Sequence, residues 1–180
     1  LRSIAALVLA LLPFASCSST DDTGLSDEER LNLHREYAMK FFSTGDYKQA
    51  ENQANLGLEI DSSESELRLI LGWVAIKRGK TDDVIKAEKL FRELAKSGDY
   101  RAQIGLGEAL ERRGVLYWET AQGIESGERS TPSNDPASRV DKLRDEARKY
   151  WAESADNYEK ALAKKPSAIQ AINGLQRVSA

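Results

Sequence analysis

Apolar side chains recur at intervals of three and four along most of the chain, the period of an amphipathic helix, and short polar runs break the pattern. Leu31, Leu33, Tyr37, Ala38, Phe41 and Phe42 make one stripe; Ala50, Ala54, Gly57 and Leu58 make the next. Gly45-Asp46-Tyr47 stands between them. The glycine can take the left-handed conformation that ends a helix, and the Asp side chain can accept from the free N–H groups that start another. Small residues at Ala38 and Ala50 let the two helices approach closely. Leu67, Ile70, Leu71, Gly72, Val74 and Ala75 predict a third helix, ended by Gly79. Ala87, Leu90, Phe91, Leu94 and Ala95 predict a fourth, with Thr81-Asp82-Asp83 expected to fill the gap as a longer turn that carries an N-cap.

The next helix starts at Tyr100, carries Ala102, Ile104, Leu106, Gly107 and Leu110, and is expected to end at Gly114. Val115, Leu116, Tyr117, Trp118 and Ala121 then continue a helical pattern as far as a Gly-, Ser- and Pro-rich loop over 127–136. Asp135-Pro136 reads as an N-cap followed by a first-turn proline, so a helix is expected from there to about 164. Tyr150, Trp151, Ser154, Ala155 and Tyr158 keep the three-four spacing. Tyr117, Trp118, Tyr150 and Trp151 are therefore read as the core of an extra hairpin in preference to a second exposed surface. A last helix over 167–178, with Ala171, Ile172 and Leu175, is placed to cover an open end.

The Gly-Asp-Tyr-x-x-Ala core, with Ala38 before it and Leu58 after it, resembles the tetratricopeptide repeat, a helix–turn–helix unit of about 34 residues. His34 stands where that family often has Trp, and Gly57 replaces its usual Ala. The resemblance implies an all-α fold: a short right-handed solenoid in a helical domain over 28–180. Its units fall at about 31–64, 65–99 and 100–166, the third carrying an inserted helical hairpin at about 115–150, with a C-terminal capping helix at 167–178. A plain helical bundle would use the same apolar stripes and is the rival architecture. In this family the first helix of each unit lines a concave groove that holds the ligand. The matching positions are Arg35, Met39 and Phe42, then Leu69, Trp73 and Ile76, then Arg101, Ile104, Glu108 and Arg112. Trp73 and Phe42 fit two roles, anchors for a partner's side chain or packing between neighbouring helices. One subtype of the family binds C-terminal carboxylates through Lys and Asn; here those positions hold Arg35, Met39, Ile70, Arg101 and Gly105, so that ligand is not expected.

Ahead of the repeats, residues 1–16 place Arg2 before a short apolar run and then small residues. This is the pattern of a secretory signal, too short to span a membrane comfortably. Cys17, the only cysteine, follows Phe14-Ala15-Ser16, which resembles the lipobox of bacterial lipoproteins with Phe14 in place of the usual Leu. The resemblance implies cleavage before Cys17, acylation of that residue, and a polar tether over 17–27. It also implies an exported, lipid-anchored protein, at the periplasmic side of the outer membrane if the cell is Gram-negative, since Ser18 follows the cysteine. Loss of residues 1–16 removes Arg2 and makes the net charge one unit more negative.

The chemistry-bearing residues exclude more than they offer. With 26 basic and 29 acidic side chains and a formal charge of −3, the chain has no basic excess to neutralise phosphates, so no nucleic-acid partner is expected. His34 is the only histidine and is read as a packing residue; with Cys17 acylated, no zinc set can be assembled. No Ser-His-Asp arrangement is available, Asp82-Asp83 is not a calcium loop, and Gly105-x-Gly107 lies inside a helical pattern, not in a phosphate loop. No cofactor is expected. Glu64 with Glu66, and Glu108 with Glu111, are the carboxylate pairs that glycoside cleavage would need, and are read here as solvated helix faces. The expected function is a non-catalytic, lipid-anchored envelope adaptor that binds protein partners through its groove. The alternatives are a helical protein that binds or processes cell wall or carbohydrate, and a purely structural or self-assembling envelope protein.

Overall fold

The computed structural model describes residues 24–179. The signal expected at 1–16, Cys17 and the tether as far as residue 23 lie outside the described residues. The described chain forms α1 (Asp27–Ser43), α2 (Tyr47–Ile60), α3 (Ser65–Arg78), α4 (Thr81–Leu94), a 3₁₀ turn at Ala95–Ser97, α5 (Tyr100–Glu125), α6 (Pro136–Lys164) and α7 (Ile169–Ser179). There is no strand among the described residues.

Each helix packs on its successor, and the odd-numbered helices also touch one another in order, α1 to α3, α3 to α5 and α5 to α7. The even-numbered helices make no comparable contacts with each other. A double row in which one side is in continuous contact and the other is splayed must curve toward the contacting side. The protein is thus an all-α solenoid of tetratricopeptide-like hairpins, with α1, α3, α5 and α7 on its concave side. A plain bundle would lack that one-sided succession.

Local chemistry sets the helix ends. Ser26 Oγ accepts from the Glu29 N–H, and the Glu29 carboxylate accepts from the Ser26 N–H, a reciprocal cap that starts α1. Asp46 caps α2 through the Gln49 N–H. Gly79, at φ 69°, ends α3 in the left-handed region that other residues rarely enter. The longer turn expected at Thr81-Asp82-Asp83 does not form: α4 already begins at Thr81, after Gly79-Lys80 alone. Asp82 and Asp83 lie in its first turn, where a negative charge meets the positive end of the helix dipole.

The apolar stripes close into stacked clusters. Ala38, Ala50, Ala54, Leu67, Ile70 and Val74 join the first two hairpins. Leu69, Ile76, Ala87, Phe91 and Leu110 join the second hairpin to α5. Ile104, Tyr158, Ala161, Ala168 and Ala171 join the third hairpin to α7. Ion pairs cross the same joints: Arg35–Glu64 at 3.1 Å, Arg101–Glu66 at 2.7 Å, Arg92–Glu153 at 2.6 Å, Arg177–Glu111 at 2.6 Å, and Arg78–Glu51.

The third unit departs from the expected plan. Gly114 does not end a helix; α5 passes through it without interruption and reaches Glu125. A Cβ at Gly114 would lie 2.3 Å from Nε1 of Trp151, whose N–H donates to the Glu111 carbonyl at 3.3 Å. The glycine admits the indole of α6. There is accordingly no separate inserted hairpin at 115–150: α5 has 26 residues and α6 has 29, against 14 in α3 and α4, so the extra length is the outer half of one hairpin. This arm has its own small core of Ala121, Val140 and Leu143. Tyr117 stacks on Tyr150 with centroids 5.3 Å apart, Trp118 meets Trp151 at 5.6 Å, and the Arg144 guanidinium lies 5.4 Å over the Trp118 ring.

Candidate interaction groove

The concave faces of the odd helices, joined in the second by Val84 of α4, line two adjoining clefts. The first, about 410 Å³, has aromatic and aliphatic walls from Phe42 on α1, Trp73 on α3 and Tyr100 and Ile104 on α5, with Lys77, Arg101, Glu108 and Gln170 around them. The second, about 550 Å³, lies where α5 outruns α3; it is lined by Gly79 and Val84 on the body side, by Glu108, Glu111, Arg112, Val115, Leu116 and Glu119 of α5, and by Arg177 of α7. Glu108 belongs to both clefts. Positions 101, 104, 108, 112, 115 and 119 thus form one stripe along α5, three or four residues apart, that floors both.

The expected groove residues separate into three groups. Phe42, Trp73, Arg101, Ile104 and Glu108 come together in the first cleft, and Arg112 joins Glu108 in the second. Arg35 and Met39 stand on α1 outside either lining; Arg35 is held by Glu64 and by Asn32 at 2.8 Å, and Met39 is 51% exposed. Leu69 and Ile76 are not groove residues: both are buried, against Phe91 and Leu110. The reason is the position of α3 in the middle of the stack. It has neighbours on both sides, so it carries two apolar stripes, and of its residues Trp73 and Lys77 line the first cleft. Trp73 packs between neighbouring helices, where it meets the Phe91 ring edge-on at 5.2 Å, and is also open to the first cleft.

Lys77, Tyr100, Gln170, Glu111, Val115, Leu116, Glu119 and Arg177 were not among the expected groove residues. Val115, Leu116 and Glu119 continue the spacing of Ile104, Glu108 and Arg112 and are legible once α5 is read as continuous beyond Gly114, whereas Tyr100 and Glu111 lie within the part of α5 already expected. Gln170 and Arg177 come from the last helix, and only the fold brings them to the groove.

Most charges in the groove are engaged. Arg177 grips Glu111 with Nε at 2.6 Å and Nη2 at 2.7 Å, and the Tyr158 hydroxyl donates to the same carboxylate at 2.9 Å. Burial, and then the adjacent Glu111 charge, raise the Tyr158 phenol well above its ordinary pKa, so it stays a donor. Arg112 pairs with Glu108 at 3.2 Å. Glu64 accepts from the Leu67 N–H and pairs with Arg35, and Glu66 pairs with Arg101. All four carboxylates singled out as possible acid–base pairs are thus joined to arginines. His34 Nδ1 lies 2.8 Å from Oε1 of Gln53 and ties α1 to α2.

Asp99 holds the entrance of α5. Its carboxylate accepts from the Arg101 N–H at 2.8 Å and pairs with the Arg101 guanidinium at 3.0 Å. Burial pushes its pKa up, but the hydrogen bonds and charge of Arg101 outweigh that and leave it below the usual carboxylate range. A depressed carboxylate stabilises the fold in full above its unfolded pKa, about 4, and loses that contribution as the pH falls through the folded value. Asp99→Asn should therefore weaken the domain near neutrality and flatten the acid limb of its stability curve. Urea midpoints measured between about pH 6 and pH 3 check this; parallel curves for the two proteins would count against it.

No helix among the described residues is long and apolar enough to cross a membrane, and no group of three or more His, Cys, Asp or Glu among them could hold a metal ion. No family model and no curated protein matches the chain. Among solved structures, the chain is similar to that of a MamA mutant at 17% identity, with 85% of this chain and 88% of that chain covered and a TM-score of 0.42.

Proposed function

We propose that this protein is a non-catalytic adaptor that captures protein partners in its concave groove, and that it works in a bacterial envelope while anchored by acyl chains at Cys17. The observation that carries the binding role is the first cleft. Phe42, Trp73 and Ile104 come from three successive hairpins and present apolar surface in a concavity of about 410 Å³. Open apolar pockets edged by polar groups are where partners seat their anchor side chains. The anchor rests on the sequence: Arg2, the apolar run after it, and Cys17 directly behind Phe14-Ala15-Ser16. Two or more acyl chains would hold the domain stably at a membrane, with the polar residues after Cys17 as its tether. Export, and placement at the outer membrane of a Gram-negative cell, follow from the same residues as parts of the proposal.

A photo-crosslinking residue at Gln170, in the first cleft, tests the adaptor role in the native cell. A defined envelope protein should be captured there and not from the same residue at Lys89, on the exposed surface of α4. Equal capture from both positions, or from neither, would defeat it. The anchor is tested apart from the groove: Cys17→Ser should move the protein from the membrane fraction to the soluble fraction. A variant that stays in the membrane fraction removes the acylation claim.

A further inference from the structure

Two charged side chains lining the groove stand without a counter-ion among the described residues. Arg101 is held by Asp99 and Glu66, Arg112 by Glu108, and Arg177 by Glu111. What remains is Lys77, in the wall of the aromatic cleft beside Trp73, and Glu119, in the second cleft beside Val115 and Leu116. The two lie in successive stretches of the groove, because the first cleft takes residues 100–108 of α5 and the second takes residues 108–119. Water solvates both charges while the groove is empty. A partner laid along α5 displaces that water, and a covered charge is tolerated only opposite its complement.

We propose that the groove accepts its partner in one direction. The partner is a protein segment that seats an apolar or aromatic side chain against Trp73 and Ile104, with a carboxylate meeting Lys77. Farther along it seats an aliphatic side chain against Val115 and Leu116, with a basic group meeting Glu119. This rests on the groove being the binding surface. From Ile104 to Val115 the rise along α5 is about 16 Å. A helical segment covers that distance in about eleven residues and an extended one in about five, so the anchors of the partner are spaced accordingly. Apolar contact supplies the affinity, and the two opposite charges set the orientation by making the reversed segment place like charges together.

The test uses the purified full chain as bait for a displayed library of random peptides. The expected result is enrichment of peptides whose acidic and basic residues follow one order around apolar positions. The charge-exchanged chain carrying Lys77→Glu and Glu119→Lys should enrich the opposite order and bind the original peptides about tenfold more weakly. Both side chains are exposed, so its circular dichroism should match that of the natural chain. Enriched peptides with apolar anchors but no charge order, or the same order from both chains, overturn the directional claim and leave the groove in place. Enriched peptides that fail to crosslink to a photoreactive residue at Gln170 overturn the groove reading and the direction with it. A selection that enriches nothing counts against both.

Discussion

Gly105→Ala lowers the stability of the domain by about 2 kcal/mol, read as a lower urea midpoint at unchanged slope. Local propensity alone gives the opposite sign, because replacing a glycine inside a helix by alanine gains about 1 kcal/mol. Packing reverses it. Phe91 is fully buried between α3 and α5. A Cβ at Gly105 would lie 2.4 Å from its ring, and a Cβ at Gly72 would lie 2.5 Å from it. The ring is thus confined by a bare backbone on each helix, and retreat from an alanine at Gly105 brings it onto Gly72. Strain of this kind costs about 1–3 kcal/mol even when neighbouring side chains adjust. The double variant with Phe91→Leu separates the two accounts. Leucine leaves a space that the new methyl group partly fills, so the pair should lose clearly less than the sum of the single losses. A raised midpoint for Gly105→Ala would mean that the ring has room and that the close contact does not govern this joint.

Those glycines also show what the chain discloses in its sequence and what it hides. Gly45 and Gly79 punctuate the first two hairpins, and both have positive φ at helix ends. A local conformational requirement of that sort can be read from local sequence. Gly114 has the same chemical identity but a different use: it admits Trp151, which is contributed by another helix and is distant in the chain. Nothing within a few residues of Gly114 distinguishes the two uses, so the helix was expected to stop there. The stripe through Val115 and Glu119 was lost with it. Leu69 and Ile76 were misplaced for a related reason: a helix with neighbours on two sides spends most of its circumference on packing. Phe42, Trp73, Ile104 and Glu108 were legible as groove residues because each lies on a face that a repeat register can position. Gln170 and Arg177 were not, because their place depends on how α7 closes against α5.

Arg113→Ala should destabilise the domain by about 3 kcal/mol, and most of the loss should persist in about 0.5 M salt. Arg113 joins three helices where the arm leaves the body. Its Nη1 donates to Glu88 of α4 at 2.9 Å, its Nη2 donates to the Tyr150 hydroxyl of α6 at 2.7 Å, and its guanidinium lies 4.8 Å over the Tyr150 ring. Both ion-pair side chains are only 15% exposed. Removing the arginine leaves the Glu88 carboxylate half-buried with Arg92 at 3.0 Å, and Arg92 is shared with Glu153. A shielded charge deprived of its main partner is far more costly than a broken surface pair. Glu146→Ala, which cuts the exposed Lys149–Glu146 pair of the same arm, should lose far less and become nearly neutral in salt. Glu88→Gln combined with Arg113→Met removes both charges while keeping much of the volume, and should recover part of the loss. The effect should also be local. Amide exchange in the arm, including the backbone around Leu143 and Tyr150, should accelerate, while α1 and α2 exchange as before, since a solenoid carries its contacts only between neighbours. If Arg113→Ala instead falls within about 0.5 kcal/mol of the natural protein, the stacked tyrosines and paired tryptophans hold the arm unaided. The arginine would then serve the surface and not the joint.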